Sequence, residues 1–190
     1  MNALSNKHTL WTVLALAFFM LLTRGSHVLT AVSLPDASVM LFLLGGLLLG
    51  RASWFAGLFL LATAIDFGVA AIDPAQGFCL TAGYWGMVPT YGVMWLSGLW
   101  LARREQPFAW ASFSLVALAS STVAFILSTQ SYYLFSARFP AQGLWVSLQH
   151  GWEYLPDWLL YTGFYTLLIL LGKQALDWLN NSVRPVRQQP

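Results

Sequence analysis

Charge is scarce in this 190-residue sequence. Nine basic and seven acidic side chains make up 8% of it, against roughly a quarter in an ordinary soluble domain. A water-facing shell cannot be assembled from so little charge, and no basic block exists of the kind that nucleic acid requires, which argues against nucleic acid as a partner. Cysteine is scarcer still. Cys79 stands alone, which excludes an internal disulfide and every multi-cysteine metal motif. The sequence also lacks any Gly-x-x-x-x-Gly-Lys-Ser/Thr stretch, so ATP dependence would have to come from a partner. What fills the chain is hydrocarbon, 58% by residue, in runs that recur from end to end and leave no room for a separate soluble domain.

A membrane span needs about 20 mostly apolar residues at 1.5 Å rise each. Six stretches qualify. The first runs from about Leu10 toward Leu29; Lys7 and the apolar run to Leu22 resemble a secretory signal, but no small-x-small cleavage site follows, so it reads as a retained helix. The second, Ser38 to Gly50, enters through Pro35-Asp36 and is short enough to require little tilt or a locally thinned bilayer. The third covers Ala52 to about Ile72 after a tight turn at Gly50-Arg51-Ala52-Ser53. The fourth lies within Tyr84 to Ala102, the fifth spans Phe108 to about Gln130, and the sixth about Pro156 to Trp178. The expected fold is a single all-α transmembrane domain over residues 1–190, a bundle of six helices.

With six crossings, Lys7, Arg51, Arg103, Arg104, Lys173, Arg184 and Arg187 fall on one side, and Arg24 and Arg138 on the other. Basic residues prefer the cytoplasmic face, so both termini are expected inside. The outward side then collects His27, Gln76, Cys79, Thr81, Tyr84, Trp85, Gln130, Tyr132, Tyr133, Gln142, Trp145, Gln149, His150, Trp152, Glu153 and Tyr154. Neutral hydrogen-bonding groups mixed with rings suit a large, flat-sided, amphipathic ligand in an outward pocket. An interfacial aromatic belt is the competing reading.

Asp66 sits fourteen positions past Ala52, about 21 Å along the third helix, where an ionisable group costs on the order of 3 kcal/mol and normally faces a partner inside the bundle. It is either functional, or a protonated carboxyl, or tied structurally to Arg24 or a tyrosine. Arg24 and His27 are three apart and share a face if the first helix continues. Cys79 lies in Gln76-Gly77-Phe78-Cys79-Leu80-Thr81-Ala82-Gly83-Tyr84-Trp85-Gly86, whose three glycines allow the backbone to approach a ligand. A thiolate there would suit a thiophilic metal, although lone cysteines also serve as inert packing. His27 and His150 are ligands or hydrogen-bonded interface residues. Gly46-x-x-x-Gly50 and Ala64-x-x-x-Gly68 are small-residue faces for helix packing.

Chain size, six helices, the outward loops and above all Gly77-Phe78-Cys79-Leu80-Thr81-Ala82-Gly83-Tyr84 make the sequence similar over its whole length to BtuM. BtuM is a bacterial group of small cobalamin-binding membrane proteins related to the S-components of energy-coupling factor transporters. The resemblance implies a protein of the bacterial inner membrane that takes up cobalamin through a periplasm-facing pocket. Cys79 would then be the axial cobalt ligand, with His27, Asp66, Tyr84, Trp85, Tyr91 and His150 around the corrinoid. Thiolate ligation would also promote loss of an opposite axial ligand such as cyanide. One departure is visible: S-components dock an energising ATPase module through alanines four apart in the first helix, whereas here the residue four after Ala15 is Phe19. Two other readings compete. One is a membrane redox protein with haem held by His27 and His150; the other is an intramembrane enzyme using Asp66 as acid or base and Cys79 as nucleophile.

Overall fold

The computed structural model describes residues 6–24, 34–139 and 143–183. Among them no strand occurs. The α-helices are α1 (Asn6–Arg24), α2 (Ser38–Leu48), α3 (Ala52–Ile72), α4 (Met87–Leu101), α5 (Trp110–Phe135), the single turn α6 (Gly143–Ser147) and α7 (Leu155–Val183). Three short 3-10 turns, Pro74–Cys79, Ala82–Gly86 and Trp152–Tyr154, complete the list. Helices α1 to α5 and α7 each fall on one of the six apolar stretches of the sequence, the first of them described only as far as Arg24. His27, Gln142, Arg184 and Arg187 lie outside the described residues.

The helix boundaries follow local chemistry. Before α2, the Asp36 carboxylate accepts from the Ser38 amide at 2.9 Å, satisfying a donor that the first turn leaves free. The helix stops at Gly50, whose φ of +69° only glycine takes without strain. At the far end of α3, Asp73 turns extended and its side chain accepts from Ala75 N, while Pro74 cannot continue a helix. In α4, Pro89 falls within the first turn, where its missing N–H leaves no bond unmade.

Three segments are long and apolar enough to cross a membrane: Ala52–Ile72, Trp110–Phe135, and Gly143–Ser182, which takes in all of α7 but its last residue. Large apolar side chains near their middles, such as Leu60, Val123 and Leu168, are exposed on the outside of the bundle. Water would penalise that surface and lipid does not, which marks the chain as a membrane protein. At 11 residues, α2 is about 16 Å long, roughly half the hydrocarbon thickness.

In lipid, helices associate by close packing and buried hydrogen bonds, since burial from water contributes nothing between them. The tightest contact here is α2 against α4. A Cβ on Gly46 would lie 2.0 Å from the Trp95 carbonyl oxygen, and one on Gly98 would lie 2.0 Å from that of Leu43, so backbone meets backbone at both positions. Above this crossing Phe42 stacks on Tyr91 with ring centroids 4.1 Å apart. The small-residue faces read from sequence divide: Gly46 packs as expected, Gly50 serves as the turn, and Gly68 faces open space. Between α5 and α7 the tie is polar. Ser121 and Thr162 share a hydrogen bond of 2.7 Å, and Trp158 Nε1 donates to Ser121 Oγ at 2.7 Å.

Candidate functional site

One end of the bundle gathers the polar residues that the sequence singles out. Arg24, the last residue of α1, lies where the helix dipole favours a cation, and its side chain is only 9% exposed. It grips Asp66 of α3 side-on, Nε donating to Oδ1 and Nη2 to Oδ2, both at 2.6 Å. Its Nη1 reaches Tyr91 Oη at 2.5 Å, Ser38 Oγ at 2.9 Å and Asp36 Oδ2 at 3.2 Å. Tyr84 then donates to Asp66 Oδ2 at 2.8 Å. The guanidinium therefore joins α1, the start of α2, α3 and α4, and the carboxylate extends the tie to the second 3-10 turn.

Asp66 is thus the structural partner of both Arg24 and a tyrosine. Two donors from one guanidinium and a third from a phenol occupy its oxygens, leaving it poorly placed to move protons. Tyr91 stands beneath this pair, 1% exposed and stacked on Phe42; it supports Arg24 from the core and offers no surface to a ligand. Asp36 entered the sequence reading only as a helix-start residue. Its second role, balancing Arg24, depends on a contact made by folding and had no local signal.

Cys79 closes the first 3-10 turn, five residues before Tyr84, and is exposed. Partial burial pushes the thiol above its ordinary pKa; Asp66 pushes the same way, and Arg138 and Arg24 oppose. The turn is held from both sides: Asp73 caps its start, and Tyr84 anchors the following segment to Asp66. Two of the three glycines do something other than admit a ligand. A Cβ on Gly83 would lie 2.7 Å from the Ser131 carbonyl oxygen and one on Gly86 2.1 Å from the Ser131 side chain, so both let this segment rest directly on α5. Ser131 Oγ locks the contact by donating to Gly83 O at 2.7 Å.

Beside the thiol, aromatic rings form a row. Phe78 meets Tyr132 at 5.7 Å between centroids, Tyr132 meets Tyr133 at 6.0 Å, and Tyr133 stacks on His150 at 5.6 Å. At the end of α5, Ala137 takes a left-handed φ of 56°, and the Arg138 guanidinium that follows lies over the Phe78 ring at 4.0 Å. Sequence reading used Arg138 only as a topological charge. The Tyr132 hydroxyl is buried and has no hydrogen-bond partner among the described residues.

No family model matches this chain, and no curated protein matches it in sequence. Cys79 and His150 stand at opposite ends of the ring row, with three rings between them. Trp85 is 74% exposed close by, and no cluster of three or more His, Cys, Asp or Glu side chains forms among the described residues. Two cavities lie elsewhere, one between α1, α2 and α7 and the other between α2 and α7. Cys79 is exposed beside the ring row and lines neither of these two cavities.

Proposed function

We propose that this protein binds a cobalt corrinoid at the Cys79 end of the bundle and carries it across the bacterial inner membrane, with Cys79 sulfur as axial cobalt ligand. The carrying observation is the placement of the only cysteine: an exposed thiol on a turn anchored at both ends, beside a row of rings and an orphaned phenol. A corrin supplies four equatorial nitrogens itself, so one protein donor suffices and no multi-residue metal cage is required. Flat rings beside the thiol offer stacking surface to a macrocycle.

This reading takes all six long helices as crossings in an S-component-like arrangement, with both termini in the cytoplasm and Cys79 facing the periplasm. Lys7, Arg51, Arg103, Arg104 and Lys173 then share the cytoplasmic side, as basic residues prefer. His150 and Trp85 would border the corrinoid, whereas Asp66 would act at one remove by fixing Tyr84. Sulfur bound at one axial position weakens the ligand opposite. Cyanide would leave with its bonding electron pair, cobalt remaining Co(III).

The test is the absorption spectrum of the purified protein loaded with cyanocobalamin. Sulfur ligation predicts a spectrum distinct from free cobalamin that reverts toward it in Cys79→Ser. Failure to bind cobalamin, or a bound spectrum identical in both proteins, would overturn the assignment.

A further inference from the structure

The larger cavity is a groove of about 420 Å³ between α1, α2 and α7, far from the Cys79 surface in its chemistry. Ala15 and Phe19 of α1, Leu41 and Leu44 of α2, and Leu168 of α7 are typical of its wall. Two lining residues carry hydroxyls, and both are already spent: Thr12 donates to His8 O at 2.9 Å and Tyr165 to Pro35 O at 2.5 Å. The groove therefore presents carbon throughout.

Its dimensions are informative. It follows α2 from Ala37 to Leu48, about 16 Å of helix, which is one leaflet's share of a ~30 Å hydrocarbon core. A cavity of about 420 Å³ along that length gives room for hydrocarbon such as an acyl chain.

The end of the groove also has a sign. Leu48 is followed three residues later by Arg51, which is exposed and pairs with no carboxylate among the described residues. On α7, Lys173 stands one turn beyond Ile169, on the lining face, and pairs with Asp177. One unopposed cation and one shared cation at the mouth of an apolar slot complement an anionic headgroup.

We infer that the groove between α1, α2 and α7 is a binding site for one anionic phospholipid, an acyl chain lying along α2 and the phosphate drawn to Arg51 and Lys173. The lipid comes from the leaflet at the Arg51 end, and the site is independent of the corrinoid reading.

Native mass spectrometry of the detergent-purified protein, titrated separately with dioleoyl phosphatidylglycerol and dioleoyl phosphatidylcholine, tests it. The expected result is one tightly held phosphatidylglycerol per chain, favoured over phosphatidylcholine by about tenfold. Ala15→Trp fills the slot and should abolish the adduct. Ala15→Leu, gentler on folding, should weaken it, with thermal unfolding of both variants followed in parallel. Arg51→Gln combined with Lys173→Gln should keep one lipid and lose the discrimination. Equal retention of the two lipids by the unaltered protein would overturn the inference. So would an adduct indifferent to both Ala15 substitutions, including the case in which they alter only the oligomeric state, which would assign the groove to a second copy.

Discussion

Arg24 and Asp66 show how a costly residue is made tolerable. A guanidinium and a carboxylate each lose water at this depth, and their mutual attraction offsets that only because almost every remaining lone pair and proton is used. Removing one partner therefore costs more than the pair contributes. Asp66→Ala is expected to lower stability by about 3 kcal/mol, read as a fall in the thermal midpoint in detergent, because Arg24 is left with Asp36 alone on its anionic side. Arg24→Met combined with Asp66→Leu should recover most of the loss; a double variant as unstable as the sum of the single ones would show that the two residues act separately. At Cys79 the prediction concerns pH. If cobalt is bound as proposed, only the thiolate can bind it, and since partial burial raises the thiol's pKa, binding must release a proton. Apparent affinity for sulfur-ligated corrinoid should rise about tenfold per pH unit from pH 6 to 8 and level off above the thiol's own pKa. A flat profile over that range would mean that sulfur takes no part.

At the scale of elements, the α2 and α4 crossing carries the fold. Contact between backbones leaves no room for even one methyl group, so Gly98→Ala must push the helices apart by more than an ångström. The expected cost is about 2–4 kcal/mol, measured by thermal unfolding, whereas Gly68→Ala, with open space around it, should change stability by less than about 0.5 kcal/mol. Comparable losses would show that the α2 and α4 interface yields more than this geometry allows. The loop bearing Cys79 belongs to the same scale: Gly83 and Gly86 seat it on α5, and Tyr84 ties it to α3. Its shape is thus set by two helices that lie far apart in sequence.

For the whole molecule, the orientation proposed above places the sole cysteine on the periplasmic side, which makes it a natural reporter. A membrane-impermeant maleimide should label Cys79 in intact spheroplasts without permeabilisation, in a protein that offers the reagent no other thiol. Labelling only after the membrane is opened would invert the topology and with it the direction of uptake. The asymmetry between the two ends supports the expected side. One end holds rings, hydroxyls and a neutralised Arg24, whereas short basic connections such as Arg51 and the Arg104 that stacks on Trp100 mark the other.

The sequence alone determined that the chain is helical and membrane-embedded, and where its long helices lie, because length, apolar runs and the punctuation by Gly50 and Asp73-Pro74 are local properties that folding does not overrule. It also identified Asp66 as needing a partner and named Arg24 and a tyrosine as candidates, since the desolvation cost of a carboxylate is known before any contact is. Only the tertiary structure decided that both partners are used at once, that Tyr91 is core rather than surface, that the glycines around Cys79 pack against α5, and that Arg138 lies over Phe78. Each of these depends on which helix faces sit against one another. In lipid that choice is made by backbone fit and buried hydrogen bonds, and neither leaves a periodic trace in a sequence that is apolar all round.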